Sequence, residues 1–235
     1  MSVWVCSDFH GYKSIYDQIC EYIDKDDEVV FLGDAIDRAP HGYELMKAII
    51  NNPQFVYIRG NHEEMFADAI RDIYGGWDYS NRIDLHIYNG GYKTQRDWEQ
   101  AGGYVSWANK IYNFPTYKKY INPVRNKIYH LSHAGFNPRK DKEIPDSRFL
   151  TWDRNHIKTE IWIGEPNEYI IHGHTPIQNF GNDIPIEPYE YCEGHKICID
   201  AGTAYSKKGI LYNLDTREYK VFEATEKDME DNYFG

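Results

Sequence analysis

A chain of 235 residues can bury most of its apolar surface in one core, so a single domain with an insertion is the expectation. Its 37 acidic side chains outnumber 26 basic ones, so the bulk surface repels polyanions and argues against general nucleic-acid binding. The N-terminus enters the apolar run Val3 to Cys6 without a basic leader, and no window reaches the apolar length of a membrane span; a soluble cytoplasmic protein with no membrane contact is expected.

Val3 to Cys6 reads as a strand. Tyr12, Ile15, Tyr16, Ile19, Cys20 and Ile23 then recur at helical spacing until Asp24-Lys25-Asp26-Asp27 breaks the pattern before a second strand, Val29 to Leu32. Pro40 marks a helix start, Leu45, Met46, Ile49 and Ile50 form its apolar side, and Asn52-Pro53 stops it before a third strand, Phe55 to Ile58.

From about residue 75 to 125 the composition shifts to Tyr, Trp, Asn and Gly, with paired glycines between short helical patterns such as Lys93 to Gln100. This stretch is read as an inserted cap whose aromatics, among them Tyr74, Trp77, Tyr79, Tyr88, Tyr92, Trp98, Tyr104 and Trp107, pack a small core of its own. Apolar runs return near Ile128 to Leu131, Tyr169 to Ile171, Lys196 to Ile199, Ile210 to Leu214 and Lys220 to Phe222, enough for a second sheet. Residues 1–225 then form one domain and 226–235 an acidic, frayed tail. The four cysteines lack metal-type spacing and read as reduced core residues.

Five polar clusters follow strand-like runs: Ser7-Asp8-Phe9-His10-Gly11, Gly33-Asp34-Ala35-Ile36-Asp37-Arg38, Arg59-Gly60-Asn61-His62-Glu63, Leu131-Ser132-His133-Ala134-Gly135 and Ile171-His172-Gly173-His174-Thr175-Pro176. Ligands of α/β sheets bind outside the carboxyl ends of strands, so these side chains are expected to converge there. Mixed carboxylate and imidazole donors suit Mn, Fe, Zn or Ni, whereas a calcium or magnesium site is built almost wholly from oxygen. Any one cluster arises readily by chance; five in order, each with a glycine, do not.

The clusters resemble the signature of the phosphoprotein phosphatase branch of the calcineurin-like metallophosphoesterases, particularly its compact bacterial and phage serine/threonine phosphatases. Ser7 and Ala39 stand where that pattern has glycine. The resemblance implies two mixed β-sheets flanked by helices, with the cap over the site. It further implies two divalent metal ions, manganese foremost, with Asp8 and His10 on the first, Asp34 bridging, and Asn61, His133 and His174 on the second. A hydroxide bridging the metals would attack phosphorus directly. His62 would act as leaving-group acid, oriented by Asp37, while Arg38, Arg59 and Arg154 would bind phosphate oxygens. His41, His86, His130, His156, His172 and His195 are assigned to packing or the surface.

The implied activity is hydrolysis of phosphomonoesters on phosphorylated proteins or small molecules. Two alternatives stay open: a dinucleoside polyphosphate hydrolase of the diadenosine tetraphosphate type, and a metal-binding scaffold without activity. Native metal, physiological substrate and oligomeric state stay open as well.

Overall fold

The computed structural model describes residues 2–75, 80–139 and 147–229. Its first half alternates β1 (Val3–Cys6), α1 (Lys13–Tyr22), β2 (Glu28–Phe31), α2 (Gly42–Asn51) and β3 (Phe55–Tyr57). A helical stretch follows: α3 (Asn61–Gly75), α4 (Ser80–His86), a π-helical turn at Ile87–Gly91, α5 (Tyr92–Gln100) and α6 (Ser106–Tyr112). The second half contains β4 (Tyr117–Asn122), β5 (Lys127–Ser132), α7 (Ser147–Trp152), β6 (Glu168–His172), β7 (Tyr189–Tyr191), β8 (Lys196–Cys198), α8 (Thr203–Ser206), β9 (Lys208–Asn213) and β10 (Tyr219–Glu223).

Two five-stranded mixed sheets result, in the orders β10-β9-β1-β2-β3 and β4-β5-β6-β8-β7. In the first, β1, β2 and β3 run parallel, with Val5 opposite Val30 and Phe31 opposite Tyr57. In the second, β5, β6 and β8 run parallel between antiparallel edges. The period of two in a strand divides the side chains between two cores. Val3 and Val5 join Val30, Leu131, Ile171 and Ile197 between the sheets, while Trp4 and Cys6 join Ile15, Ile19, Leu45 and Met46 beneath α1 and α2. Each such aliphatic side chain, fully buried, contributes roughly 1.5–3 kcal/mol. The expected fold, two mixed sheets flanked by helices, is the one observed.

Three expectations change in detail. The helices between the sheets end at Tyr112, and Tyr117–Asn122 is β4, paired antiparallel with β5, so the last part of 75–125 belongs to the second sheet. Within the stretch, Trp98 is buried and Trp107 packs against the main core, but Tyr74, Tyr88, Tyr92 and Tyr104 are exposed; Trp77 and Tyr79 lie outside the described residues. The start of the acidic tail is ordered. Asp228 is buried and accepts the backbone N–H of Ser14 at 3.1 Å and the Ser14 hydroxyl, whereas 230–235 lie outside the described residues.

Candidate active site

The loops after β1 and β2 lie side by side, zipped by Asp8 N–H to Gly33 O (3.0 Å), His10 N–H to Asp34 O (3.0 Å) and Gly11 N–H to Ala35 O (2.7 Å). Asp8, His10, Asp34, Asp37, Arg38 and His174 all adopt positive φ, between 45° and 74°. A non-glycine residue there costs on the order of 1–2 kcal/mol, and such costs cluster where side chains must be aimed at a site. Two glycines permit the close approach of the carboxylates: a Cβ on Gly60 would collide with Asp34 Oδ1, and one on Gly173 with Asp8 Oδ2. Ser7, in place of the family's glycine, is buried and its hydroxyl donates to Asp8 Oδ2.

The imidazoles are anchored from behind by backbone carbonyls. His10 Nδ1 donates to Ile36 O at 3.0 Å and His133 Nδ1 to Leu32 O at 2.7 Å, which leaves each Nε2 facing inward; His174 Nε2 donates to Trp152 O at 3.2 Å, which leaves Nδ1 inward. Carbonyls only accept, so these bonds assign the tautomers, as outer partners of metal-binding histidines do. The inward atoms crowd together: His133 Nε2 lies 2.9 Å from Asn61 Oδ1, 3.1 Å from His174 Nδ1 and 3.3 Å from Asp34 Oδ2. Lone pairs at these separations fit a shared cation. The charge balance agrees. Burial disfavours the imidazolium, yet Asp34 and Asp8 push His133 up to about 10, and burial together with Asp34 pushes Asp200 up to about 6, so the carboxylates draw protons into the place a metal cation would take. The donors present therefore fit divalent metal ions.

Asp34, His133 and His174 form one cluster whose ligand atoms lie within 4.8 Å of one another; His10, Asp34 and His62 form a second. Asp8, expected on the first metal, is in neither triad. It accepts the His174 N–H at 3.1 Å and lines the same cavity as His10, Asp34 and Asn61.

His62 stands at the start of α3, where its N–H donates to Asp34 Oδ1 at 3.0 Å and its Nδ1 to Asp37 Oδ2 at 2.6 Å. Burial disfavours the imidazolium, but Asp34 and Asp37 outweigh it and raise the His62 pKa. Burial would raise Asp37, yet its interactions with His86 and His62 hold it well below the usual carboxylate range.

Of the three arginines, Arg38 and Arg154 line the cavity, which encloses about 300 Å³. Arg38 Nη2 lies 3.4 Å from His62 Nε2, and Arg154 Nη2 donates to His174 O at 3.1 Å. Arg59 does not join them. Its Nε donates to Glu64 Oε1 at 3.0 Å and its Nη1 to Tyr112 O at 2.8 Å, so the guanidinium ties α3 to the end of α6 and is spent before it reaches the cavity.

Among the site residues that escaped the sequence reading are Asp200, which lines the cavity, Glu63 and His86. Glu63, quoted in the third cluster without a role, accepts the N–H groups of Asp34, Ala35 and Gly60, each at 2.9 Å. His86, assigned to packing, is fully buried with Nε2 2.9 Å from Asp37 Oδ1. Glu63 had a signal in its place within the cluster; His86 had none, since no neighbouring pattern marks it.

Comparison with known proteins agrees with this geometry. The chain is 27% identical over 199 residues to serine/threonine-protein phosphatase 2 of Escherichia coli (strain K12), spanning 79% of this chain and 86% of that protein. A proposed diadenosine tetraphosphatase of known structure has a TM-score of 0.62 at 13% identity, covering 95% of this chain and 93% of that one. A metallophosphoesterase from Sphaerobacter thermophilus has a TM-score of 0.59 at 13% identity, covering 97% and 91%. These two likenesses show the fold. The family model for calcineurin-like phosphoesterase matches residues 1–196, a span that holds every cluster described above, and the chain accordingly belongs to that family of hydrolases, which work with divalent metal ions.

Proposed function

We propose that the chain is a manganese-dependent serine/threonine protein phosphatase that also accepts small phosphomonoesters. The observation that carries this reading is the placement of His62, held at Nδ1 by Asp37 while Nε2 lies 3.4 Å from the Arg38 guanidinium at the cavity wall. An acid beside a phosphate-binding cation matters most for an alkyl ester, whose alkoxide leaves poorly without a proton. The similarity to the Escherichia coli phosphatase supports a phosphoprotein substrate.

Asp8, His10 and Asp34 would hold one divalent ion, and Asp34, Asn61, His133 and His174 the other. When bound, the pair supplies Lewis acidity and acidifies water for attack on phosphorus. The protein's own groups do the rest. Arg38 and Arg154 grip the phosphoryl oxygens and aim the scissile bond. His62 delivers its Nε2 proton to the departing oxygen, and Asp37 keeps the ring turned toward it.

The fold likeness to a proposed diadenosine tetraphosphatase favours a second reading, dinucleoside polyphosphate hydrolysis. The test is metal-dependent turnover of p-nitrophenyl phosphate, phosphoserine, phosphothreonine and phosphotyrosine peptides and diadenosine tetraphosphate, after chelation and manganese restoration. Preference for phosphopeptides upholds the proposal, preference for the dinucleotide replaces it with the second reading, and silence on all of them points to a scaffold. No described helix is long and apolar enough to cross a membrane. The free thiols Cys6, Cys20, Cys192 and Cys198 fit a reducing compartment such as the cytoplasm.

A further inference from the structure

The Asp37 carboxylate is fully buried and meets three donors. His62 supplies one. The other two come from the helical insertion: His86, the last residue of α4, donates from Nε2 to Oδ1 at 2.9 Å, and Thr94, on α5, donates its hydroxyl to the same oxygen at 2.7 Å. The Thr94 hydroxyl in turn accepts the Asp37 backbone N–H at 3.1 Å, closing a small ring that holds the carboxylate against its own main chain. Gln95 donates from Nε2 to His86 Nδ1 at 2.8 Å, so His86 carries its hydrogen on the nitrogen that faces Asp37. A chain of contacts thus runs from Gln95 through His86 and Asp37 to His62.

The insertion also supports the next residue. Arg38 N–H donates to Gly90 O at 3.0 Å, and a Cβ on Gly90, whose φ is +96°, would come within 3.0 Å of Arg38 Cγ. Asp37 and Arg38 both have positive φ, and the surrounding structure must fix such a turn. Gly91 lies against the His86 ring so closely that no side chain fits between them.

We propose that His86, Thr94 and Gln95 are positioning residues for the proton-transfer step, orienting Asp37 and through it the His62 ring, so that the insertion tunes expulsion of the leaving group. This rests on the reading of His62 as the leaving-group acid. Groups that align an acid through hydrogen bonds affect the rate where proton donation limits it.

The test compares Thr94→Val, Thr94→Ser, His86→Leu, His86→Gln and His62→Asn in the manganese-reconstituted full chain. It measures kcat and KM on phosphoserine peptide and on p-nitrophenyl phosphate, whose phenolate departs with little help. Thr94→Val and His86→Leu are expected to lower kcat on the phosphopeptide roughly 10-fold or more, with less than about 3-fold loss on the aryl ester. KM and manganese affinity stay unchanged, and Thr94→Ser and His86→Gln recover part of the loss. Equal losses on both substrates, or a rise in KM alone, would mean that the contacts merely support the Arg38 turn, and overturns the inference. If His62→Asn shows the substrate split and the insertion variants do not, only this inference falls. If His62→Asn shows no split, the acid assignment falls and takes the inference with it. Should His86→Leu fail to fold, Thr94→Val, which exchanges one hydroxyl for a methyl, decides the matter alone.

Discussion

Glu63 Oε2 accepts the Asp34 backbone N–H at 2.9 Å, so one side chain on α3 sets the loop that carries the central carboxylate of the site. The same oxygen takes the Gly60 N–H, and Oε1 takes the Ala35 N–H and the Tyr57 hydroxyl. Four donors meet one carboxylate, and the loops after β2 and β3 are locked as a unit around Asp34.

Glu63→Gln puts an NH₂ group where every neighbour is a donor. The loss is expected to be about 1–3 kcal/mol, a drop of roughly 2–12 °C in Tm, together with weaker manganese binding. Thermal unfolding with and without manganese measures both, and an unchanged midpoint in each condition would show that the loop keeps its geometry without this carboxylate.

Asp34→Asn removes the charge that His133 Nε2 approaches at 3.3 Å and that both donor clusters share. Manganese should stabilise the wild-type chain by mass action and the variant hardly at all. Activity should be lost from the variant at any metal concentration, and lost reversibly from the wild type on chelation. A variant that gains as much from manganese as the wild type would remove Asp34 from the metal site.

His62→Asn is expected to retain manganese affinity while kcat on phosphoserine peptide falls by a factor on the order of 10² to 10⁴, with a much smaller fall on p-nitrophenyl phosphate. Comparable losses on the two esters would be incompatible with a leaving-group acid.

Arg38→Ala and Arg59→Met separate the two arginines. Arg38 lines the cavity, so its loss should raise KM. Arg59 is buried and paired with Glu64, so its loss should cost about 3 kcal/mol, a fall of roughly 6–12 °C in Tm, with KM unaltered. Steady-state kinetics beside a melting curve reads both; an increase in KM for Arg59→Met in a well-folded protein would return Arg59 to the phosphate site.

Asp153 supplies a pH signature. Burial opposes it, but the hydrogen bonds from the His156 ring and backbone hold Asp153 down at about 2. With the unfolded value about 3.9, its contribution is complete above that pH and is lost as the pH falls toward 2. The stability gap between wild type and Asp153→Asn, measured by urea unfolding without added metal, should therefore narrow from pH 6 to pH 3. A constant gap would mean that the carboxylate charge contributes nothing.

Local sequence determined most of the strands and helices and the polar clusters, while their arrangement as two mixed sheets came from the family resemblance. The short apolar run Val3 to Cys6 and the helical spacing of Ile15 and Ile19 are local features of the chain, so they can be read without knowing what packs against them. That Asp34 lies near Asn61, and His133 near His174, was legible for a related reason, since loops at the same ends of neighbouring parallel strands must meet; that the two pairs face each other across two sheets was implied only by the resemblance. The edge strands β4 and β7 were not legible, because β4 is polar and half exposed and no residue of β7 is buried.

Where a long side chain ends lies beyond any local pattern. Arg59 and Arg38 both sit in strand-end clusters, yet the packing of α6 draws Arg59 toward Tyr112 while Arg38 stays at the cavity. His86 is 49 residues from Asp37 and carries no motif, and only the docking of the insertion on the Asp37–Arg38 turn brings its ring to the carboxylate. Chain periodicity selects the elements and the ends at which chemistry gathers; tertiary packing decides which donors reach the reacting centre, because hydrogen bonds between distant segments depend on ångström-scale placement that no short stretch of sequence specifies.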